Sequence, residues 1–567
     1  MTPQETIAAS PGVSPKRVKS QKKQMDAVLE NRWARIFVPS LSDLFFVAIM
    51  CWLFLGAAGW SALLGDADVG WHIRAGEYIV SHRAVPYHDL YSFSKPGAPW
   101  FAWEWLSDVL DAALFRMAGL KGIVLMAGVV IALFATTLIR RVTRLGVNLF
   151  AALLVALLGV GGASIHFLAR PHVFTLLLLS VSMWMLERDR DGSAPKNRIF
   201  WLIPLVLVWT NLHGGFLVMV AILGLTAVGS LIEAVLDVSE KDVSTNAPAG
   251  EAKPSPRALL RQVNWSNPVR YGILTAACAA VSLVNPYGWG LHQHIVAYLR
   301  SDWIRNVIQE FQSPSFRTEN MLQFEALLFA GLIAAGALLR RRRVVEGLWI
   351  LLCSYLALSS ARHVPVFIAV TLPLIACEVA SWWQAFTGTA TKNSLLGILN
   401  QMASDSVAGF RRTSVWPALF VLALVVTGKP IKWPTDFPKE MFPIDMIHAH
   451  EMEIVHSRVL TTDQWADYLI FLHPDQQRVF VDGRSDFYGP EVGNQYIHLL
   501  NANWDWYQVM QQYQFNLVLL PVEQPIVQIL KRSPDWRVIQ DDGKHILMAR
   551  RSGKTPTGVP QEERVRD

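Results

Sequence analysis

The first long polar segment of the chain reads, from Gly65 to Asp108, GDADVGWHIRAGEYIVSHRAVPYHDLYSFSKPGAPWFAWEWLSD. It lies between apolar runs at about 42–64 and 122–139, so we expect it to follow the first crossing of a membrane. Acidic residues and histidines are interleaved with the rings of Trp71, Tyr87, Tyr91, Trp100 and Trp103. Flat rings beside carboxylates suit a site for a sugar or a lipid headgroup, and they are also typical of an interfacial aromatic belt.

The composition indicates a polytopic membrane protein. Of the 567 residues, 52% are hydrophobic and only 17% are charged, whereas soluble domains carry about 25% charged residues. The net charge of +6 comes from short basic clusters between apolar runs, where such clusters set topology, so it does not indicate nucleic-acid binding. The four cysteines all lie in apolar runs and lack metal-ligand spacing.

The apolar runs predict a polytopic α-helical protein of about eleven transmembrane helices with a cytoplasmic N-terminus. Residues 1–40 form a basic cytoplasmic tail, and residues 41–427 form the membrane domain, whose first outer loop covers 65–120. The basic cluster at 340–343 marks the cytoplasmic side most strongly. The crossings are expected at about 42–64, 122–139, 146–167, 173–187, 199–210, 216–236, 270–284, 321–339, 346–360, 364–383 and 415–427.

Residues 428–567 predict a small α/β domain on the outer side of the membrane. Helix-like stretches occur near 463–472, 491–500 and 504–513. They alternate with β-type runs at Arg478–Val481, Phe515–Leu520, Trp536–Gln540 and His545–Ala549.

Two carboxylates, Asp66 and Asp68, come directly after the first apolar run. At this spacing they can share a cation, or one can act as a base while the other orients it. Two solvated loop acids would give the same pattern. Their place just outside the bilayer, where a lipid phosphate would present its headgroup, is the reason to consider them as catalytic residues.

Cationic residues from separate outer loops form a second candidate group. Arg170 in LARPH (168–172) and Arg362 in ARHVP (361–365) each follow an apolar run. Arginine matches phosphate oxygens in bidentate fashion, and ionisable residues at such positions are functional candidates, although snorkelling anchors are the alternative. The candidate substrate-binding residues are His72, Arg74, Trp71, Glu104, Arg170, His172, His213, Arg362 and His363.

The stretch WTNLHGG (209–215) places polar residues and two glycines between two apolar runs. A broken helix that lines a cavity and a tight hairpin with a satisfied core histidine both fit this pattern. The sequence leaves the two alternatives open.

These features together resemble the GT-C superfamily of integral-membrane glycosyltransferases, and in particular a bacterial GT-C-like group. The motifs that carry the resemblance are DADVGWHIRAGE (66–77), WTNLHGG (209–215), NPYG (285–288) and RVFVDGR (478–484). The resemblance implies a GT-C-like membrane body with a C-terminal extracytoplasmic α/β domain, in the bacterial inner (plasma) membrane. It also implies transfer of a sugar from a polyprenyl-phosphate-linked donor to an extracytoplasmic glycan, lipid or protein acceptor.

The same resemblance suggests roles for individual residues. Asp66 or Asp68 would act as the base on the acceptor, help to hold it, or assist a metal. Some members need a divalent metal, Mg²⁺ or Mn²⁺, and others do not, so the cofactor stays open. In VDGRSD (481–486), Asp482, Arg484 and Asp486 would contact the acceptor or cap a strand–helix turn, and the cap is the interpretation we favour.

A non-catalytic protein on the same body is the alternative: a lipid or glycan carrier, a flippase or an envelope assembly scaffold. A transporter needs a continuous polar path, and few charges fall inside the apolar runs, Glu378 being one. No Walker loop, Rossmann turn, HExxH or GxSxG motif occurs, which disfavours an ATP-driven pump or a soluble-nucleotide enzyme.

Overall fold

A computed structural model of the protein describes residues 36–244, 262–387, 394, 397–398, 414–427 and 431–551. The predicted basic tail as far as residue 35 lies outside these residues. So do parts of the two predicted cytoplasmic segments at 237–268 and 384–413.

Helices make up most of the described chain as far as residue 427. Numbered in chain order, they are α1 (Leu41–Leu55), α2 (Asp68–His82), α3 (Trp105–Ala118), α4 (Leu120–Arg144), α5 (Leu149–Ala163), α6 (His172–Arg190), α7 (Leu202–Leu212), α8 (Phe216–Ser244), α9 (Ser266–Val281), α10 (Trp289–Arg300), α11 (Asp302–Val307), α12 (Glu319–Arg340), α13 (Val344–Ser359), α14 (Val364–Thr387) and α15 (Trp416–Thr427). Short 3₁₀ turns occur at Gly59–Leu64, Ser164–His166, Arg198–Trp201, Gln309–Phe311 and Ala361–His363.

Within the described ranges, five helical segments are long and apolar enough to cross a membrane. They are Leu120–Arg144, Leu149–His166, Phe216–Val238, Met321–Arg340 and Ala361–Phe386. Shorter apolar helices are Leu41–Leu55, Arg198–Leu212, Val344–Ser359 and Trp416–Val426. The prediction of a helical, multi-pass membrane protein is thus confirmed, whereas the number of eleven crossings stays a prediction. The run expected at 42–64 is divided, because α1 ends at Leu55 and a 3₁₀ turn follows.

The first helix begins at a capping box. The Ser40 hydroxyl accepts a bond from the Asp43 amide at 3.2 Å, and the Asp43 carboxylate accepts from the Ser40 amide at 2.7 Å. Asp43 also accepts a hydrogen bond from the Ser414 hydroxyl at 2.6 Å. One buried carboxylate therefore fixes the start of α1 and joins it to the chain just before α15.

The C-terminal region contains a small mixed sheet with helices around it. Its elements are α16 (Ile444–Ala449), α17 (Glu451–Val455), β1 (Val459–Thr461), α18 (Asp463–Leu472), α19 (Ser485–Leu500), α20 (Trp506–Tyr513), β2 (Leu517–Pro521), α21 (Pro525–Leu530), β3 (Trp536–Asp541) and β4 (His545–Arg550). The strand order is β1-β2-β4-β3, with β1 parallel to β2 and the other pairs antiparallel. Three predicted strands and all three predicted helices of this region are confirmed.

The predicted strand at Arg478–Val481 is wrong. Val479 forms a single parallel bridge with Ser92 of the first loop and does not join the sheet. The amide of Phe93 donates to the Val479 carbonyl at 2.9 Å, and the Val479 amide donates to the Tyr91 carbonyl at 2.9 Å. The extended, apolar stretch therefore pairs with another part of the chain, and the sheet instead uses the three-residue β1.

The predicted outer loop is largely a pair of helices, α2 and α3, packed together through glycines. A Cβ atom at Gly76 would lie 1.9 Å from the Asp108 carbonyl oxygen on α3. A Cβ atom at Gly70 would lie 2.9 Å from the Asp467 carbonyl oxygen and from the Phe471 Cβ on α18. Helix α2 is thus held between α3 and the C-terminal region, which positions the side chains around Asp68.

Candidate active site

A polar cavity of about 420 Å³ lies between the first loop, the 3₁₀ turn at Gln309–Phe311 and the C-terminal region. Carboxylates, arginines and aromatic rings from all three parts form its wall. Its lining includes Asp66, Asp68, Trp71, Trp100, Trp103, Glu104, Arg170, Tyr298, Trp303, Glu310, Arg362, Asp463, Gln464, Asp482, Arg484 and Asp486.

Arg170 holds three carboxylates at one edge of this cavity. Its Nη1 lies 2.6 Å from Asp66 Oδ2 and 3.3 Å from Glu310 Oε1, and its Nη2 lies 2.5 Å from Asp68 Oδ2. The amide of Asp68 also donates to Asp66 Oδ1 at 2.9 Å. The planar guanidinium suits this fork-like geometry. The two predicted acids and one predicted cation therefore form a single cluster.

Asp68 is a buried acid that faces a second buried acid from the C-terminal region. Burial raises the pKa of Asp68 well above its usual value, although Arg170 opposes this shift. Burial and the neighbouring Asp68 likewise raise the pKa of Asp467 on α18. A Cβ atom at Gly483 would lie 2.0 Å from Asp68 Oδ1 and 2.8 Å from Asp467 Oδ2. The loop and the C-terminal region thus meet at this pair of acids.

A third carboxylate, Glu310, links Arg170 to a second arginine, Arg362. Arg362 Nη1 lies 4.0 Å from Glu310 Oε2 and donates to the Tyr298 hydroxyl at 3.3 Å, and its guanidinium lies over the Phe311 ring at 5.0 Å. Burial alone would raise the pKa of Glu310, but Arg170 and Arg362 outweigh it and hold that pKa at about 2. Glu310 is therefore ionised and holds both arginines at the cavity wall.

A second, mainly apolar cavity of about 120 Å³ adjoins the first one and extends among the membrane helices. Its lining contains five of the predicted residues, Arg170, His172, His213, Arg362 and His363, together with apolar side chains such as Leu176 and Val366. The residues that line both cavities are Trp103, Arg170, Tyr298, Glu310, Phe311 and Arg362. The apolar and the polar cavity therefore meet at the two arginines.

Glu104 lies in the wall of the polar cavity between two histidines. Its Oε1 lies 3.4 Å from His213 Nε2, and its Oε2 lies 3.6 Å from His72 Nε2. On the far side, His72 Nδ1 lies 2.6 Å from Asp108 Oδ1. Burial raises the pKa of Glu104 to about 7, against the opposing effect of Arg170. Burial also lowers the pKa of His72 well below its usual value, so that histidine is neutral.

The VDGRSD stretch (481–486) joins the first loop to the C-terminal region. Arg484 is buried and donates hydrogen bonds to Asp482 at 2.6 Å and to Asp89 at 2.8 Å. Its guanidinium also lies over the Trp100 ring at 4.7 Å. Asp482 accepts a bond from the Arg484 amide at 3.1 Å, while Asp486 faces the cavity and lies 2.9 Å from His294 Nε2. Arg484 immediately precedes α19, but no side-chain hydrogen bond caps that helix, so the capping interpretation is wrong; the Arg484 side chain instead joins the two regions.

Most of the predicted site residues line one of the two cavities. The exceptions are His72, which lies behind Glu104, and Arg74. Arg74 donates from Nε to the Phe471 carbonyl at 2.7 Å and pairs with Glu77 at 2.6 Å, so its contacts join α2 to α18. The contacts of Arg74 therefore fix the position of the first loop, and Arg74 lines neither cavity.

Several cavity residues are absent from the sequence-based set. They include Tyr298, Trp303, Glu310, Asp463 and Gln464. Asp467, which lies behind the wall at Gly483, is also absent from that set. Glu310 lies in the polar stretch between the crossings expected at about 270–284 and 321–339, where a lone acid carries no pattern. Asp463 and Asp467 lie one helical turn apart on α18, and a polar pair on a helix is more often solvated than catalytic.

Asp66 and Asp68 do not form a divalent-metal site with other side chains of the described residues. No group of three or more His, Cys, Asp or Glu side chains with metal-binding geometry occurs in the described part of the chain. The Asp66 and Asp68 oxygens that would share a metal instead contact Arg170. The Arg170 guanidinium therefore lies between the two carboxylates, in the position that a shared metal ion would occupy.

Comparisons with known proteins give the fold. No protein-family model and no curated protein matches the chain. The archaeal oligosaccharyltransferase AglB from Archaeoglobus fulgidus, in complex with an inhibitory peptide and a dolichol-phosphate, is similar with a TM-score of 0.50 and 12% identity, over 89% of this chain and 70% of AglB. ArnT from Cupriavidus metallidurans, bound to undecaprenyl phosphate, is similar with a TM-score of 0.41 and 14% identity, over 91% of this chain and 99% of ArnT.

AglB is a GT-C membrane glycosyltransferase. The fold of this chain is therefore the GT-C fold, as the sequence resemblance predicted.

Proposed function

We propose that this protein is a membrane glycosyltransferase that moves a sugar from a polyprenyl-phosphate donor to an acceptor outside the cytoplasm. In this proposal residues 1–40 are a cytoplasmic tail, residues 41–427 form the membrane domain with its eleven crossings, and residues 428–567 form the extracytoplasmic α/β domain. The protein would lie in a bacterial inner membrane.

The observation that carries the proposal is the meeting of an apolar and a polar cavity at Arg170 and Arg362. A lipid-linked sugar has an apolar chain, an anionic phosphate and a polar sugar, in that order. The apolar cavity suits the first isoprene units, the arginines suit the phosphate, and the polar cavity suits the sugar and the acceptor. The AglB structure of the same fold contains a dolichol-phosphate and an inhibitory peptide.

The reaction follows from this placement. An acceptor hydroxyl oxygen attacks the anomeric carbon while its proton passes to a carboxylate of the polar cavity, the bond between that carbon and the phosphate oxygen breaks, and the electron pair leaves with the lipid phosphate. Of the two arginines, Arg362 has the positive charge that carboxylates compensate less. Glu310 lies 4.0 Å from it, and Arg362 donates its hydrogen bond to the neutral hydroxyl of Tyr298. We assign the stabilisation of the leaving phosphate mainly to Arg362. Asp66 and Asp68 fix Arg170 in the wall of the polar cavity.

The test uses the purified full-length chain in lipid vesicles with a panel of polyprenyl-phosphate hexoses and pentoses and a mixed set of glycan, lipid and peptide acceptors. Release of polyprenyl phosphate measures transfer. We expect turnover of at least one donor by the wild type and a loss of about 10²-fold or more in Arg362→Gln, the range seen when a transition-state donor is removed. The matched control is Arg305→Gln, because Arg305 has a side chain that is 54% exposed.

Two results would contradict the proposal. One is wild-type binding of the lipid-linked sugars without any turnover, which would favour the non-catalytic carrier. The other is equal turnover by the wild type and Arg362→Gln.

A further inference from the structure

A directional chain of hydrogen bonds orients His213, whose Nε2 faces Glu104. Trp209 Nε1 donates to Thr175 Oγ1 at 2.8 Å, and Thr175 Oγ1 lies 2.8 Å from His213 Nδ1. Because the Thr175 oxygen already accepts from Trp209, its hydroxyl hydrogen is available to His213 Nδ1. The Gly215 amide donates to the same Nδ1 at 2.9 Å. Two donors thus face Nδ1, which makes it an acceptor without a hydrogen.

The tautomer of His213 follows from these contacts. A neutral imidazole whose Nδ1 accepts must carry its hydrogen on Nε2. That Nε2 lies 3.4 Å from Glu104 Oε1. His213 therefore presents an N–H group to the Glu104 carboxylate. Gly215 is part of the arrangement, since a Cβ atom there would lie 2.5 Å from Thr175 Oγ1.

The other carboxylates that line the polar cavity have closer partners than Glu104, whose neighbouring histidine nitrogens lie 3.4 and 3.6 Å away. Asp66, Asp68, Glu310 and Asp482 contact arginines, Asp486 lies 2.9 Å from His294 Nε2, and Asp463 accepts from the Tyr496 hydroxyl at 3.2 Å. Asp66 and Asp68 each place an oxygen within 2.6 Å of Arg170. The second oxygen of Asp66 accepts the Asp68 amide, and that of Asp68 is enclosed at Gly483. The oxygens of Asp66 and Asp68 that contact Arg170 are therefore not free to receive the acceptor proton, and Asp68 is also buried.

We propose that Glu104 is the catalytic base of this site and that His213 is its positioning residue; this inference rests on the proposed function. The acceptor O–H bond breaks and its proton goes to a Glu104 oxygen, while the acceptor oxygen bonds to the anomeric carbon. The bond from that carbon to the phosphate oxygen breaks, and the electron pair leaves with the lipid phosphate. His213 Nε2–H keeps one Glu104 oxygen in place, and the other oxygen receives the proton.

The electrostatic surroundings of Glu104 agree with this role. Burial brings its pKa to about 7, near the optimum for a general base at neutral pH. The charged or titratable groups that interact with it or contact it come from several elements, and they are Arg170, Arg362, Asp486, Asp108, Asp111, His72 and His213. Arg170 and Arg362 lower the pKa of Glu104, whereas Asp486 raises it. Burial is the largest effect, so the net shift is upward.

The first test is kinetic, with the full-length chain in vesicles and the donor panel described above. Glu104→Gln keeps the shape and removes the base, so we expect turnover to fall by about 10²–10⁴-fold. The KM for the donor should change little. Glu77→Gln is the matched control, because Glu77 lines neither cavity and its side chain is 41% exposed.

The pH profile separates positioning from a structural role. Wild-type turnover should rise with pH through about 7, as Glu104 loses its proton. His213→Phe removes the N–H donor, so the rise should move to higher pH. His213→Gln retains an N–H group near the same place and should restore the wild-type position of the rise. A loss of folding alone would lower the plateau without moving the rise.

The second test does not need turnover. Infrared difference spectra of the full-length chain with ¹³C-labelled glutamate should show an isotope-shifted protonated-carboxyl band that titrates near 7 in the wild type and in Glu77→Gln, and that is missing in Glu104→Gln. The label separates this band from those of buried aspartates such as Asp111, whose pKa is raised to about 8. Wild-type turnover that persists at full rate in Glu104→Gln, or a titrating band that persists in it, overturns the inference and leaves the proposed function standing. If the wild type turns over no donor, the proposed function fails and the role of Glu104 as a base fails with it.

Discussion

Asp68 and Gly483 are in direct contact across the boundary between the first loop and the C-terminal region: a Cβ atom built on Gly483 would lie 2.0 Å from Asp68 Oδ1. The Gly483 amide also donates to the Asp467 carboxylate at 3.1 Å. The backbone of one region therefore forms the packing surface for an acid of the other. The geometry of the Asp68–Arg170 pair depends on this contact, because Asp68 is 3% exposed and has little room to move.

Gly483→Ala tests this dependence. The added methyl group must displace Asp68, which is backed by Arg170 and Asp467, so we expect a loss of about 1–3 kcal/mol in unfolding free energy, typical of overpacking. We also expect a loss of transfer activity larger than the loss of folded protein. Thermal unfolding and turnover of the same samples provide the measurement.

Gly336→Ala is the control for this substitution. Gly336 lies within α12, and a Cβ atom there meets no atom within 4 Å. Stability should be unchanged or slightly raised, since alanine favours a helix. If Gly483→Ala behaved like Gly336→Ala, the contact with Asp68 would have no consequence for the site.

Much of the architecture could be predicted from the chain because hydrophobicity and charge are local properties. The apolar runs that became α4 and α12 need only length and composition to be recognised. The helix at 463–472 was predicted with its observed bounds, because its apolar residues recur at helical spacing after Thr462, which caps it. Contacts between distant segments have no such local signal.

The candidate site shows the same division. Arg170 and Asp66 were each recognisable at the end of an apolar run, but only the fold shows that they form one ion pair. Arg74 was included because it is a cation in the same loop, and its pairing with the Phe471 carbonyl depends on packing between distant helices. The pairing of Val479 with Ser92 likewise joins parts of the chain nearly four hundred residues apart, so an extended stretch was taken for a strand of the sheet.

Arg170→Met should destabilise the protein and abolish transfer. Three carboxylates would lose their shared cation, and breaking a buried pair in this way costs about 3–5 kcal/mol. Arg170→Lys keeps the charge but not the fork of donors, so we expect most of the stability and little of the activity to return. Thermal unfolding and turnover separate the two effects. Full activity in Arg170→Lys would show that the bidentate geometry is unnecessary.

Arg484→Met should weaken the attachment of the C-terminal region to the first loop. The guanidinium pairs with Asp89 and Asp482 and lies over aromatic rings, with a side chain that is 1% exposed. Loss of one partner leaves two buried carboxylates without their cation, for a cost of about 3–5 kcal/mol. We expect faster proteolytic cleavage between the two regions as well as a lower unfolding temperature. Arg537→Met, at an exposed position of β3, should leave both unchanged. Equal resistance of Arg484→Met and Arg537→Met to proteolysis would contradict this role of Arg484.

Asp111→Asn should stabilise the protein at alkaline pH and have little effect in acid. Asp111 is buried on α3, and its Oδ1 has no hydrogen-bond partner among the described residues. Burial, followed by the effect of Glu104, raises its pKa from 3.8 to about 8. The folded chain therefore keeps a proton that the unfolded chain releases, so wild-type stability falls as the pH rises from about 4 to about 8. Asparagine cannot ionise, so it removes this loss of stability, which is on the order of a few kcal/mol when the pH exceeds about 8.

The measurement is the difference in unfolding temperature between Asp111→Asn and the wild type across that pH window. It should be small at the acid end and grow steadily towards the alkaline end, since only the ionised form of Asp111 is costly to bury. Asp302→Asn serves as the matched control, because its side chain is 85% exposed and the same substitution there should give a flat difference. A flat difference for Asp111→Asn as well would mean that the Asp111 carboxyl is ionised in the folded protein across the whole window. Burial would then not raise its pKa as described above.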